Sequence, residues 1–163
     1  MSREKKIIRS WERNAKQWIG LIGKEGIPSR KIATNQAILD AVLALQPGSV
    51  LDLGCGEGWL SAVLAEKGIA VTGTDVIPEL IAHAAAHIQG SFHVTDYDAI
   101  SNGSFRFQQP FDVIVSNFAL LAKDSVDALL PALPQWLSPG GALIIQTLHP
   151  HAFQGTPEYV TGW

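Results

Sequence analysis

The period of apolar positions changes repeatedly along the chain. Trp11, Ala15, Trp18 and Ile22 recur at helical spacing and predict an amphipathic helix over residues 10–22, broken by Gly23, Gly26 and Pro28. A second helix is predicted over 31–45, with Ile32, Ile38, Leu39, Val42 and Leu43 inward and Gln46-Pro47-Gly48 as its stop. Residues 49–53 read as a buried strand, followed at once by a glycine-rich turn and the helical pattern Leu60, Val63, Leu64. Further strands are predicted at 70–74, 92–95, 111–115 and 142–147. Between them lie a helix over 78–88, opened by Pro78, and one carrying Val126, Leu129, Leu130 and Leu133, capped by Asp124. Pro131 and Pro134 should kink or split that last helix. Residues 101–110 read as a polar loop, and the tail from Leu148 has no clear period. Strands alternating with helices predict an α/β fold, a parallel sheet sandwiched by helices, with its ligand at the carboxyl ends of the strands.

Composition agrees with one folded domain. The chain has 163 residues, 47% hydrophobic and 17% charged, enough for a core. A net charge of −3 supplies no general attraction to nucleic acid or anionic membrane. The single cysteine excludes an internal disulfide and fits a reducing, cytoplasmic setting. No apolar run approaches the roughly 20 residues of a membrane span, and the charged N-terminus lacks the apolar stretch of a signal peptide.

The chemistry concentrates in Leu51-Asp52-Leu53-Gly54-Cys55-Gly56-Glu57-Gly58. Alternate glycines between a strand and a helix let a ligand rest against bare peptide groups, at the helix end where N–H groups are free. Asp75 ends the next strand about 20 residues on, where a nucleoside ribose is gripped. A dinucleotide fold would show G-x-G-x-x-G. The closer spacing here, with Asp52 beside it, disfavours a pyrophosphate and suits a ligand with adenosine at one end and a zwitterionic amino acid at the other.

With Thr74-Asp75-Val76, Thr95-Asp96-Tyr97, Phe111 to Ser116 and Leu137-Ser138-Pro139-Gly140-Gly141 in order, the chain resembles the class I S-adenosylmethionine-dependent methyltransferases, in look nearest to bacterial small-molecule enzymes of the quinone-biosynthesis type. The resemblance covers residues 32–147 and implies a Rossmann-like fold. It implies that Asp52, Gly54, Cys55, Gly56 and Gly58 form the cofactor loop, with the glycines along the methionine and ribose portion. By the same likeness Asp75 takes the ribose hydroxyls, Val76 and Ile77 pack on adenine, and Asp96 and the Tyr97 N–H meet its edge. Ser116 and Asn117 sit beside the methyl group. Arg30 or Lys31 would pair with the cofactor carboxylate. His149 and His151, after the fifth strand, are the candidate general bases. No metal site is expected, since His83 and His87 lack a third ligand. The products would be a methylated small molecule and S-adenosylhomocysteine.

Three segments are expected: an N-terminal helical extension, 1–30, that could serve as a lid; the cofactor-binding domain, 31–147; and an irregular tail, 148–163. The family's sheet ends in a strand hairpin that this chain does not reach, which suggests either a truncated form or a sheet completed otherwise; an uncovered fifth strand would then self-associate or lower stability. Two further readings stand beside the enzyme: a non-catalytic S-adenosylmethionine-binding module, and a nicotinamide-dependent dehydrogenase domain, which the glycine spacing disfavours.

Overall fold

The computed structural model describes residues 3–24, 28 and 30–148. Helix α1 (Arg3–Lys24) precedes a π turn (Arg30–Thr34) and α2 (Asn35–Leu43). Then follow β1 (Ser49–Leu53), α3 (Trp59–Glu66), β2 (Ala70–Asp75), α4 (Pro78–His87), β3 (Ser91–Val94) and α5 (Tyr97–Ser101). The described part closes with β4 (Phe111–Asn117), α6 (Lys123–Ala132), a 3₁₀ turn (Leu133–Trp136) and β5 (Leu137–Gln146). All strand pairs are parallel, in the order β3-β2-β1-β4-β5. The order reverses between β1 and β4, and the crevice outside that point is where such sheets hold ligands.

Period-two alternation sends the core to both faces of the sheet. Leu51, Leu53 and Ile114 pack with Ile100, Leu129 and Leu133 beneath α5 and α6. Val50, Val113 and Val115 pack with Ile38, Val42, Leu60 and Leu64 beneath α2 and α3. A third cluster joins α1 to α4, through Ala15, Ile77 and Leu80 with Trp11 and Trp18 against them. The N-terminal helix is thus packed onto α4. No helix among the described residues is long and apolar enough to cross a membrane.

Asp112 ties the start of β4 to β1, accepting from the Gly48 and Ser49 N–H groups at 2.9 and 3.0 Å. These amides hold its carboxyl below the usual range.

Several local expectations shift. The π turn throws Ile32 out of the helical stripe, and it is 84% exposed rather than inward. Asp124 falls in the first turn of α6, and the position before that helix is Ala122, which supplies no side-chain cap. The split at the prolines appears as Pro131 inside α6 and Pro134 in the 3₁₀ turn. Residues 97–101 form a short helix, capped by Asp96 through the Ala99 N–H at 2.7 Å. β5 starts earlier than the turn sequence suggested, because a register irregularity absorbs residues 138–141.

Gly58 illustrates how the glycines serve packing. Its φ is +90°, and an added Cβ would lie 2.4 Å from Ile88 Cδ1 and 3.1 Å from Ala84 Cβ. Gly68 has φ +80° with open space around it. Gly68→Ala should therefore cost about 1–2 kcal/mol, the left-handed penalty alone. Gly58→Ala should cost about 2–4 kcal/mol, because overpacking against α4 is added. Urea titration of both variants checks the difference.

Candidate active site

The loop after β1 is lashed to its neighbour strand. Gly54 and Cys55 both donate their N–H groups to the Thr74 carbonyl, at 2.8 and 2.9 Å. Asp75, one residue on, accepts from the Gly56 N–H at 3.0 Å through Oδ2 and from the Ile77 N–H at 2.9 Å through Oδ1. One carboxylate thus holds the glycine loop and the start of α4 together. Burial nevertheless raises the Asp75 pKa, against the pull of those amides. Gly54 has φ +72°, and a Cβ there would meet Ala119 Cβ at 2.3 Å. Only glycine fits between the loop and the segment after β4.

A cavity of about 540 Å³ opens over these strand ends. α1 contributes Trp11 and Trp18, the glycine loop Gly54, Cys55 and Glu57, β2 and its turn Asp75, Val76 and Ile77, and the segment after β4 Asn117, Phe118 and Ala119. Glu57 is buried, and its Oε2 accepts from Trp18 Nε1 at 2.6 Å. This bond closes α1 down on the glycine loop. Burial raises the Glu57 pKa, while the Trp18 bond and Arg30 pull it back. The Arg30 guanidinium lies 5.7 Å from the Trp18 ring centre, 5.5 Å from Trp59 and 6.0 Å from Phe118. That cage fixes a cation by its apolar faces. Burial lowers the Arg30 pKa.

Five buried polar atoms of lining residues have no protein partner: Arg30 Nε, Thr34 Oγ1, Glu57 Oε1, Asn117 Oδ1 and Ser125 Oγ. Buried polar groups are normally paired, and these five orphans belong to side chains that line the cavity.

Comparison with known proteins agrees with this geometry. The methyltransferase-domain family matches residues 29–161. The chain belongs to the class I S-adenosylmethionine-dependent methyltransferases. It is 34% identical over 121 residues to a ubiquinone biosynthesis O-methyltransferase of Idiomarina loihiensis, covering 70% of this chain and 50% of that one. The chain spans about half the length of the curated relatives it matches. Among solved structures, the TehB-like S-adenosylmethionine-dependent methyltransferase of Corynebacterium glutamicum superposes with a TM-score of 0.64 at 26% identity, covering 84% and 72% of the two chains. The DhpI-SAM-HEP complex shares the fold, with a TM-score of 0.72 at 20% identity over 97% of this chain and 74% of that one. S-adenosylmethionine is the cofactor of this family.

Within the methyltransferase domain, the cavity gathers Asp52, Gly54, Cys55, Asp75, Val76, Ile77, Asp96, Tyr97 and Asn117. Gly56 and Gly58 do not line it; Gly56 offers its N–H to Asp75, and Gly58 packs on α4. Ser116 does not reach it either. Its side chain is buried and donates to the Leu53 carbonyl at 3.2 Å. Asp96 lines the cavity, with Oδ1 engaged in the α5 cap. Tyr97 donates its hydroxyl to the Ala119 carbonyl at 3.3 Å, and burial raises its pKa. Cys55 is buried and its thiol is pushed up by that burial, so it serves as filling. His149 and His151 lie outside the described residues.

Sequence reasoning overlooked Glu57. Its partner Trp18 is 39 residues away, and no local spacing announces the pair. The cage of Trp59 and Phe118 around Arg30 was equally silent, although Arg30 itself stood out by position.

Asp52 is fully buried and accepts from Ser61 Oγ at 2.8 Å. Burial raises its pKa from 3.8 to about 7. The folded chain then holds this proton more tightly than the unfolded chain. Stability is fully present below about pH 4 and falls as the pH rises towards 7. The loss is on the order of a few kcal/mol. Asp52→Asn keeps an acceptor for Ser61 and should flatten that decline. Denaturant titrations of both proteins between pH 4 and 7 measure it.

Proposed function

We propose that this domain transfers the methyl group of S-adenosylmethionine to an oxygen of a small-molecule acceptor, releasing S-adenosylhomocysteine. The observation that carries the reading is the cavity at the strand ends, lined by the Asp75-held loop with its unpartnered Glu57 Oε1 and by Arg30 with its unpartnered Nε. These two side chains offer opposite charges, as the carboxylate and ammonium of an amino acid require. The curated relatives, named O-methyltransferases, support the oxygen acceptor.

In this reading Asp75 keeps lone pairs on both oxygens for the ribose hydroxyls after binding the two amides. Val76 and Ile77 give adenine an apolar bed. Asp96 retains Oδ2 for the adenine amino group, and the Tyr97 N–H, in the first turn of α5, faces a ring nitrogen. Arg30 holds the amino-acid carboxylate, and Glu57 Oε1 and Asp52 hold the ammonium. When bound, S-adenosylmethionine supplies a methyl group on a positively charged sulfur. The apolar walls of Trp11, Phe118 and Leu121 exclude water and fix the acceptor in line, where alignment carries much of the rate. His149 and His151 remain the proposed bases for an acceptor hydroxyl. The setting is cytoplasmic in this reading, and α1 acts as the lid.

Calorimetry with S-adenosylhomocysteine, adenosine and NAD tests the reading. S-adenosylhomocysteine should bind and NAD should not. Asp75→Ala should weaken binding of S-adenosylhomocysteine by about 1–3 kcal/mol, the scale of lost hydrogen bonds to a charged group. Arg30→Gln should weaken it by a similar amount yet leave adenosine affinity unchanged. An equal loss for both ligands would remove Arg30 from the amino-acid end. Turnover with a panel of hydroxylated acceptors separates the enzyme from a non-catalytic cofactor-binding module.

We further propose self-association through β5, which lies at the edge of the sheet with Ile145 43% exposed. Light scattering should give a mass above the monomer that falls in Ile145→Lys; a wild type that stays monomeric at high concentration counts against it.

A further inference from the structure

Helix α6 begins at the cavity without a cap. Ala122 precedes it in an extended conformation, and no side chain accepts from its first-turn N–H groups. A ten-residue helix concentrates partial positive charge at that end. Ser125, in the same turn, is 2% exposed, and its Oγ has no partner. Both Ala122 and Ser125 line the cavity. A buried hydroxyl left unpaired beside free amides is costly unless a ligand satisfies it.

From this geometry we infer that the first turn of α6, with Ser125 Oγ, is a subsite for an anionic oxygen of the methyl acceptor. The proposal rests on the methyl-transfer reading and deepens it. Trp11, Phe118, Leu121 and Leu148 add apolar surface to the cavity, Phe118 and Leu121 from the segment that leads into α6. The acceptor class is therefore an apolar body carrying one carboxylate or ionised hydroxyl. Of the carboxylates that line the cavity, Asp52 and Glu57 belong to β1 and its loop, Asp75 to the end of β2, Asp96 to the turn after β3 and Glu4 to α1, whereas α6 follows β4 across the reversal of strand order. Asp124, on the same turn, is exposed to water.

The test uses the full chain with saturating S-adenosylhomocysteine and three probes, benzoate, 4-nitrophenolate and neutral benzamide, measured by calorimetry. At least one anion should bind on the order of tenfold more tightly than benzamide. Which one does so separates a carboxylate from an ionised hydroxyl. Ser125→Ala should shrink the preference severalfold. Ala122→Asp places a capping carboxylate on the same amides; it should abolish the preference while raising Tm. Both variants should bind S-adenosylhomocysteine as the wild type does. Equal binding of all three probes to the wild type, or a preference that survives Ala122→Asp, overturns the subsite. Failure of the wild type to bind S-adenosylhomocysteine overturns the methyl-transfer reading, and the subsite with it.

Discussion

The site depends on the double use of Asp75. Its two oxygens take the Gly56 N–H on one side and the Ile77 N–H on the other. Three left-handed glycines make the loop sharp, and the conformational freedom of glycine makes such a loop costly to order without external partners. Asp75 and the Thr74 carbonyl supply those partners from β2. The register between β1 and β2, with Leu53 opposite Thr74, brings donors and acceptors level. Slippage of one residue would unhook the loop and turn the slipped strand inside out. Sheet pairing, loop shape and ligand geometry are therefore one constraint.

A second closure is laid over the first. Trp18 reaches from α1 to Glu57, and Arg30 sits among Trp18, Trp59 and Phe118. Four elements distant in sequence meet around one cation and one carboxylate. The charge of Arg30 pulls the Glu57 pKa down against the effect of burial.

The parts legible in the sequence are those whose cause is local. Alternation of strands and helices, the glycine turn and the acid at the end of β2 each follow from neighbours within a few residues. Asp52 was legible as a site acid. That it meets Ser61 depends on β1 alternation sending it to the α3 face, which a single strand pattern does not announce. Ser116 and Asn117 show the limit from the other direction. Both lie at the end of β4, yet the first is buried beneath Leu53 and the second faces the cavity. Helix α5 escaped notice because five residues are too short for a hydrophobic period. Ile32 was placed inward on a regular helix, and the π turn changed its direction.

The tight seat of Cys55 bears on how the domain meets oxidants. It is the chain's single cysteine and lies in the cofactor loop. A Cβ at Gly73 would already stand 2.9 Å from its sulfur, so the far side of the thiol is filled. Burial keeps the proton on, and peroxides attack the deprotonated form. The thiol in the cofactor loop is thereby held in its protonated, less nucleophilic form.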